Sequence, residues 1–406
     1  MSLIIQKFGG TSVGSHERMA HVARLVSETL AAGHQVVVVV SAMSGETDRL
    51  IQLAKAWGVE APREYDALIA TGEQVSAALV SMALIALGHK AASFTGSQVR
   101  ILTTDEHTRA RIVNIDPVVL RDALAQGITP VVAGFQGVAE TGDVTTLSRG
   151  GSDLTAVALA AALRADECQI FTDVDGVYTS DPRIVPSARR LTRVEMAEML
   201  EMASLGAKVL QNRCLEFAEK YQVPVRVLSS FGSDGGTRID FEEKPPQEPA
   251  ISGVTCDRNQ AMMTVQGALA RPGLASYIVG PLADVGIEVD MFVQNLPNDQ
   301  GRVDISFAIL RTDYVKGLRV LQGLAAELQA VAVKGQECVA KLSIVGVGMR
   351  SHAQVASHMF SALGREGVEV HLMTASEIKI SVIVDEPLIE MGARALHEAF
   401  QLHLSS

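Results

Sequence analysis

The chain has 406 residues and a formal net charge of −11 at pH 7, with 48% hydrophobic and 20% charged residues. At roughly 150 residues per domain, this length predicts two to three domains with buried cores, and the composition is typical of a globular protein. The lysines and arginines form no dense basic run, so neither nucleic acid nor a membrane surface is expected as a partner.

The sequence predicts no targeting or membrane segment. The nearly uncharged, apolar stretch at residues 75–87 is shorter than the roughly 20 residues that cross a bilayer, so it predicts a buried helix. The first ten residues lack the basic and apolar regions of an export signal. Cys168, Cys214, Cys256 and Cys338 form no C-x-x-C pair, which favours neither zinc nor disulfides. These features predict a cytoplasmic location.

Up to about residue 240, short β-branched runs alternate with helical periods, a pattern typical of α/β units around a mostly parallel sheet. The predicted strands are apolar on both faces: Leu3–Phe8, Val36–Val40, Thr129–Ala133, Gln169–Thr172 and Val223–Leu228. The predicted helices have apolar residues at three- and four-residue spacing: Glu17–Ala31, Gln74–Leu87, Ser152–Leu163 and Arg193–Tyr221.

The last third of the chain repeats internally. Residues 242–250 are rich in proline and glutamate and predict a linker. Beyond them, Gly286–Met291 matches Gly367–Leu372, and Asp304–Phe307 pairs with Lys379–Val382. Each copy predicts a β-α-β-β-α unit, which would bury its open sheet face side by side with the other copy or across a dimer. The predicted domains are 1–241, 251–335 and 336–406.

A glycine turn near the N-terminus is the strongest functional signal. Lys7–Gly14 places a lysine at a strand end, then two glycines, then a helix start, which suits a phosphate group. The alternative is an ordinary strand-to-helix turn with a solvated lysine. The chain has no G-x-x-x-x-G-K-[ST] loop and no G-x-G-x-x-G motif, which disfavours a P-loop enzyme and a Rossmann dehydrogenase.

A second anion-binding signal is Ser148–Asp153, which opens an alanine-rich helix. Arg149 can hold a carboxylate with its planar guanidinium, and the glycines after it expose backbone donors. The alternative is that Ser152 is only a helix N-cap and that Asp153 only complements the helix dipole.

Three further segments lie at predicted strand ends or helix starts. Phe171–Tyr178, followed by Asp181–Arg183, comes at the carboxyl end of a strand, where ligands of open α/β sheets bind. Ser41–Thr47 is another glycine-containing loop after a strand. Glu73 is a candidate ligand, although Thr71–Gln74 has capping-box spacing and Glu73 would then be an ordinary first-turn acid.

Taken together, these motifs resemble those of the aspartate kinases, members of the amino acid kinase family with tandem C-terminal ACT domains. The motifs follow in the family's order: Lys7–Val13, Val40–Gly45, Thr71–Glu73, Gly134–Gly137, Arg149–Asp153, Thr172–Tyr178 and Asp181–Arg183. The resemblance implies an amino acid kinase-type αβα sandwich with a mostly parallel sheet, followed by two ferredoxin-like β-α-β-β-α ACT units. It also implies phosphorylation of the L-aspartate β-carboxylate by ATP, with Mg²⁺ as cofactor. This reaction is the first step toward lysine, threonine, methionine and diaminopimelate.

The resemblance further implies site residues. Lys7 would neutralise charge on the transferring phosphoryl group, and Asp153 would orient Lys7 or the metal shell. The nucleotide-binding residues would be Lys7, Phe8, Gly9, Gly10, Ser41, Thr172, Asp173, Tyr178, Arg183 and Lys208. The aspartate-binding residues would be Thr47, Glu73, Arg149 and Ser152. Because the β-carboxylate is already ionised at pH 7, no catalytic histidine is needed, and Mg²⁺ would be held through the ATP phosphates.

The ACT-like repeats imply feedback control by lysine or threonine and a homo-oligomer formed through these units. The implied effector residues are Asp290, Gln294, Val355, Ala356, Glu369, Val370, Ala375 and Ser376, whose alternative is a structural role at strand ends and helix starts. Ser148 stands where the family usually has glycine, and Ala356 and Ala375 stand where many relatives have threonine. The identity of the effector is therefore open.

Two other functions stay open at this point. Another amino acid kinase would act on a different carboxylate, but Glu73 with Arg149 suits a free amino dicarboxylate better than an N-acetylated one. A non-catalytic amino-acid sensor would need neither Lys7 nor Asp153, both of which are present.

Overall fold

The computed structural model describes residues 1–148, 150–207, 209–232, 235–241, 251–346 and 353–404. The chain forms two compact units. The first comprises Met1–Val177, Arg190–Ala203 and Lys208–Lys244, and the second comprises Tyr178–Arg189, Ser204–Ala207 and Pro245–Ser406. The segments 178–189 and 204–207 therefore group with the C-terminal part of the chain. The predicted linker 242–250 lies outside the described residues, and the domain limits at 241, 251 and 335 stay predictions.

Up to Asp240 the strands are β1 (Leu3–Phe8), β2 (Gln35–Val40), β3 (Ala91–Phe94), β4 (Ile101–Thr103), β5 (Ile112–Ile115), β6 (Thr129–Ala133), β7 (Gln136–Val138), β8 (Val144–Thr146), β9 (Glu167–Thr172), β10 (Arg193–Glu195), β11 (Val225–Ser229) and β12 (Thr237–Asp240). The helices of the same region are α1 (His16–Ala31), α2 (Glu46–Lys55), α3 (Pro62–Ile69), α4 (Thr71–Ala86), α5 (Val118–Ala125), α6 (Gly151–Leu163), α7 (Met196–Ser204) and α8 (Asn212–Tyr221).

The main sheet of the first unit, as far as it is described, has eight strands in the order β10-β12-β11-β9-β1-β2-β6-β3. The central strand β1 pairs in parallel with β2 and with β9, and only the pairing of β11 with β12 is antiparallel among the described ladders. The predicted, mostly parallel α/β sheet is therefore confirmed. The five predicted strands occur within one or two residues of their expected bounds.

Helices cover both faces of this sheet. On one face, α1 and α4 pack on a buried cluster that includes Phe8, Val38 and Val131. On the other face, α6 packs against β1 and β9, and α8 packs against α6. Both faces of β2 are apolar because Val36, Val38 and Val40 join the first cluster while Val37 and Val39 are equally buried.

Helices α3 and α4 together form a run of 25 residues, Pro62–Ala86, that is long and apolar enough to span a membrane by length and composition alone. Half of its most apolar window is buried inside the protein, and Asp66 and Glu73 are buried within it, as in the core helix of a folded domain. The predicted burial of residues 75–87 is correct for one face only. The other face is exposed at Val75, Leu79, Met82 and Ile85.

Two local predictions were incomplete or wrong. A second, four-stranded sheet in the order β5-β4-β7-β8 was not predicted from the sequence. The single helix predicted over Arg193–Tyr221 is instead strand β10 followed by two helices, α7 and α8. Gly206, with a φ of 109°, lies between these helices in a conformation that an α-helix does not allow.

The second unit contains strands β13 (Ile251–Leu269), β14 (Asp290–Gln294), β15 (Arg302–Leu310), β16 (Ala332–Gly346), β17 (Leu372–Ala375) and β18 (Lys379–Asp385), with helices α9 (Leu274–Asp284), α10 (Tyr314–Leu324), α11 (Ala353–Arg365) and α12 (Ile389–Ala399). The element order is β-α-β-β-α in each copy, as predicted. The strands form one antiparallel sheet in the order β14-β15-β13-β16-β18-β17, so the two copies pair side by side through β13 and β16.

Candidate active site

The carboxyl ends of neighbouring parallel strands bring several predicted phosphate ligands together. The backbone N–H of Gly9, just after β1, donates to the carbonyl of Phe171 in β9 at 3.2 Å. The N–H of Ser41, just after β2, donates to the carbonyl of Phe8 at 3.1 Å. The loops after β1 and β2 therefore begin side by side, at the sheet edge where α/β proteins bind ligands.

The glycine turn after β1 has no room for a side chain at Gly10. A Cβ built there would lie 2.8 Å from the carbonyl oxygen of Ala42, closer than real Cβ atoms approach a carbonyl. The N–H of Ser44 donates to the Gly10 carbonyl at 3.1 Å, so the loops after β1 and β2 are also hydrogen-bonded. Glycine is required here for the close approach of two backbones.

Lys7 and Asp153 form a nearly buried ion pair. The Nζ of Lys7, near the end of β1, lies 2.5 Å from Oδ1 of Asp153 in the first turn of α6, and the two side chains are 10% and 13% exposed. A Cβ at Gly9 would lie 3.6 Å from the same Nζ, so the lysine ammonium adjoins the glycine turn. This arrangement fits the predicted role of Asp153 in orienting Lys7.

Glu73 is a buried carboxylate that is only partly satisfied. Its side chain extends from α4, its Oε1 accepts the N–H of Ala42 at 3.0 Å, and its Oε2 has no hydrogen-bond partner among the described residues. Burial raises the pKa of Glu73 to about 7, and the hydrogen bond from Ala42 opposes this rise. The predicted capping box is absent, because Thr71 lies inside the helix and donates through its Oγ1 to the carbonyl of Leu68. Glu73 does lie in the first turn of α4, as the same alternative predicted.

Ser152 lies in the first turn of α6, where it packs against the end of a neighbouring strand. A Cβ built at Gly134, just after β6, would lie 2.9 Å from Oγ of Ser152. The N-cap of α6 is Gly150, with a φ of 80°, so the alternative that Ser152 caps this helix was wrong. Ser152 is buried. Its first-turn position at the ligand edge of the sheet is compatible with substrate binding.

Four other predicted residues of the first unit lie at or near this edge. Thr172 ends β9, and its hydroxyl donates to Oδ1 of the exposed Asp173 at 3.1 Å. Thr47 is half-buried in the first turn of α2. The ring of Phe8 is fully buried and stacks on Phe171, and its carbonyl accepts the N–H of Ser41, so a nucleotide contact of the Phe8 backbone stays a prediction.

The other predicted nucleotide and substrate residues belong to the second unit or lie outside the described residues. Tyr178 and Arg183 belong to the second unit, in which the exposed Arg183 pairs with Asp181 at 2.7 Å. Arg149 and Lys208 lie outside the described residues.

The predicted effector residues are spread over both copies of the second unit. Asp290 begins β14, and its Oδ2 lies 2.8 Å from Nζ of the buried Lys341 in β16. Burial raises the pKa of Asp290, but the hydrogen bond and charge of Lys341 outweigh this, and the pKa is lowered overall. Gln294, Glu369 and Ala375 are exposed, Ala356, Val370 and Ser376 are half-buried, and Val355 is buried in a hydrophobic cluster.

Two polar residues beside the site were not identified from the sequence. Gln136 is buried in β7, donates to the carbonyl of Ala70 at 2.8 Å and accepts from the side chain of Gln74 at 3.2 Å. Asp66 is fully buried in α3 and accepts hydrogen bonds from a neighbouring loop and strand. The only sequence signal was that Gln136 lies within one recognised motif and that Asp66 lies two helical turns before Glu73.

No group of three or more His, Cys, Asp or Glu residues in the described ranges could hold a metal ion. The binding of Mg²⁺ through nucleotide phosphates stays a prediction.

Comparison with known proteins gives two family matches. Residues 2–229 match the model of the amino acid kinase family, and residues 342–400 match an ACT domain. The chain is 55% identical to an aspartokinase of Pseudomonas aeruginosa over 405 residues, covering 99% of this chain and 98% of the relative.

Solved structures give the same result for the fold. The chain resembles E. coli aspartokinase III in complex with aspartate and ADP, with a TM-score of 0.79, 27% identity and coverage of 98% and 99% of the two chains. It also resembles the complex of that enzyme with lysine and aspartate, with a TM-score of 0.77, 27% identity and the same coverage. The predicted kinase fold with a C-terminal ACT region is confirmed.

Proposed function

This chain belongs to the aspartate kinases of the amino acid kinase family, and we propose on that premise that it transfers the γ-phosphoryl group of ATP to the β-carboxylate of L-aspartate. The products are ADP and 4-phospho-L-aspartate. We further propose that this is the first step toward lysine, threonine, methionine and diaminopimelate, and that it takes place in the cytoplasm.

One observation carries the proposal: the glycine turn and the buried carboxylate share a neighbour. Ala42 donates its N–H to Glu73, and its carbonyl oxygen is the atom that excludes a side chain at Gly10. A phosphate group at the glycine turn and an ammonium group at Glu73 would therefore bind on adjacent loops. A kinase whose acceptor is a free amino acid needs this combination of sites.

The reaction needs positioning and charge stabilisation rather than a base. The β-carboxylate of aspartate has a pKa of about 4 and is ionised at neutral pH, so no proton has to be removed from it. Its oxygen forms a bond to the γ-phosphorus while the bond from that phosphorus to the β,γ-bridging oxygen breaks, and the leaving electron pair stays on ADP. Lys7 neutralises charge on the phosphoryl group in transit, and Asp153 holds the Lys7 ammonium in place.

The residues present fit a magnesium nucleotide. The Gly10 turn leaves backbone space, Lys7 supplies a cation, and Asp153 and Asp173 supply carboxylates at or beside the same edge. When bound with the nucleotide, Mg²⁺ would offset the negative charge of the phosphates. The remaining nucleotide ligands in the proposal are Gly9, Ser41, Thr172, Tyr178, Arg183 and Lys208.

The amino-acid substrate is bound by its charged groups. Glu73 meets the ammonium, because a buried carboxylate with an unpartnered oxygen gains most from a cation. Arg149 meets a carboxylate through its guanidinium fork, and Ser152 and Thr47 supply hydroxyl groups.

The second unit is proposed to bind an amino-acid effector and to form the interface of a homo-oligomer. Support comes from the ACT match at residues 342–400 and from the similarity to a structure that contains lysine. Lysine is therefore the first effector to test, ahead of threonine.

The test is to trap the product with hydroxylamine after incubation with Mg²⁺, ATP and L-aspartate. Hydroxylamine converts an acyl phosphate to a hydroxamate, which reports the product. We expect a hydroxamate with aspartate and none with glutamate or N-acetylglutamate. A hydroxamate with another acceptor only would identify a different amino acid kinase. No hydroxamate with any acceptor, despite measurable binding of lysine or threonine, would favour the non-catalytic sensor.

A further inference from the structure

Asp66 is a buried carboxylate outside the ligand edge, and it is saturated with hydrogen bonds. Its side chain is fully buried in α3. Its Oδ2 accepts the N–H of Thr146 at 3.0 Å and lies 2.8 Å from Nδ1 of His107. Its Oδ1 accepts the hydroxyl of Thr146 at 2.5 Å, and both oxygens share the N–H of Thr108, at 3.1 and 3.0 Å. A carboxylate is costly to bury unless it is paired or hydrogen-bonded in this way.

The donors come from two separate segments of the chain. Thr146 is the last residue of β8, and His107 and Thr108 lie in the loop between β4 and β5. Thr108 has a φ of 68°, which is unfavourable for a β-branched residue, and its N–H is the group shared by both carboxylate oxygens. Such a backbone conformation persists only where the surroundings hold it. Asp66 therefore fastens a strained loop and a strand end to helix α3.

Two of the elements that Asp66 joins, helix α3 and strand β8, continue toward the proposed aspartate site. Helix α3 continues into α4 through Ala70, whose backbone is helical, and Glu73 lies two turns beyond Asp66, at a distance of about 10 Å along the axis. Strand β8 ends at Thr146, and the chain then enters the segment that leads to Ser152 in the first turn of α6. Gln136 donates a further hydrogen bond at the α3–α4 junction, to the carbonyl of Ala70.

We propose that Asp66 is a positioning residue for the amino-acid substrate. It fixes the spacing between the Glu73 helix and the segment that carries Ser152, so that both can contact the same ligand. The inference rests on the proposed aspartate-binding role of Glu73. Nucleotide binding at the Lys7 turn, which Asp66 does not contact, is left unaffected.

The test is the kinetic effect of Asp66→Asn, which keeps the shape of the side chain but turns an amide nitrogen toward backbone donors. We expect the KM for aspartate to rise by about tenfold to a hundredfold, because a small misplacement of binding groups is enough to cause such losses. The KM for ATP should stay within about twofold of the parental value, because the substitution does not alter the proposed nucleotide-binding turn at Lys7. A purely structural defect lowers the concentration of active enzyme, which reduces the apparent kcat and leaves KM unchanged.

Thr145→Val provides a matched control in the same small sheet. It removes the buried hydrogen bond between the hydroxyl groups of Thr103 and Thr145, next to Thr146 in the sequence, without touching Asp66. We expect this variant to unfold at a lower urea concentration than the parent. Its KM for aspartate should be that of the parent. The conservative Thr146→Ser, which keeps both donors to Asp66, should also keep the parental KM.

Glu73→Gln separates failure of the inference from failure of the proposed site. If Glu73→Gln raises the KM for aspartate and Asp66→Asn does not, the positioning role is overturned while the site stands. If Glu73→Gln leaves that KM unchanged, the assignment of the aspartate site is wrong, and the inference is lost with it. An equal rise in KM for Asp66→Asn and Thr145→Val would also overturn it, because any loosening of the small sheet would then be sufficient.

Discussion

Burial of the Glu73 carboxyl group favours its neutral form. Its pKa of about 7 lies above the ordinary value of 4.5, and the cause is burial. The folded protein therefore binds more protons at Glu73 than the unfolded chain does between these two values. The neutral carboxyl group makes its full contribution to stability below pH 4.5, and this contribution is lost as the pH rises through 7.

This raised pKa predicts that Glu73→Gln changes the free energy of unfolding more favourably at high pH than at low pH. Relative to the parent, the variant should gain up to about 3 kcal/mol in free energy of unfolding between pH 4.5 and pH 8, since it has no charge to bury. The measurement is urea denaturation of both proteins across this range without ligands. Saturating L-aspartate should reduce the gain, because its ammonium pairs with the charged carboxylate. A pH-independent difference would mean that Glu73 titrates normally.

The Lys7–Asp153 pair predicts a non-additive double-mutant cycle. Lys7→Met or Asp153→Asn alone leaves one nearly buried charge without its partner, which should cost about 3–5 kcal/mol of stability. The double variant removes both charges and should recover most of that loss. All three variants should lose turnover in the hydroxamate assay, since the phosphoryl group needs the lysine. If the two stability losses simply add, the pair is not a coupled unit.

At the scale of secondary structure, the elements that could be predicted are those with a strong hydrophobic pattern in the sequence. Strands β1, β2, β6 and β9 are apolar on both faces and were identified nearly to the residue. Strands β4, β7 and β8 are three residues each, which is too short for any period to stand out. The contacts of Asp66 were also beyond prediction, because its partners lie 41 to 80 residues away along the chain.

The close packing of the first turn of α6 against Gly134, just after β6, predicts a specific effect of Gly134→Ala. The new Cβ would lie 2.9 Å from Cβ and Oγ of Ser152 and 3.1 Å from its Cα, so the first turn of α6 must shift. We expect weaker aspartate binding, measured by calorimetry, with a smaller loss for ATP analogues. Gly235→Ala, whose Cβ meets no atom within 4 Å, is the control. Unchanged aspartate affinity in Gly134→Ala would place Ser152 outside the substrate site.

At the scale of the whole molecule, the internal repeat is combined into one sheet rather than into two independent domains. The long strands β13 and β16 pair from Ile251–Gly346 to Gln266–Ala332, with three register shifts along the ladder. A buried cluster draws Met291 and Ala308 from the first copy and Val339 from the second. The Lys341–Asp290 ion pair also joins the copies. The sequence showed the repeat, but it could not decide between pairing within one chain and pairing across a dimer.

This shared sheet predicts that one copy cannot fold alone as a monomer. A fragment of residues 251–335 would expose the 19-residue strand β13 as a free edge, which is a template for pairing with another chain. A fragment of residues 251–404 keeps that strand paired and should unfold cooperatively. Circular dichroism with analytical ultracentrifugation compares the two, and we expect the short fragment to be unfolded, dimeric or aggregated. A folded monomeric short fragment would mean that each copy is stable by itself, and communication between the copies would then not depend on a common sheet.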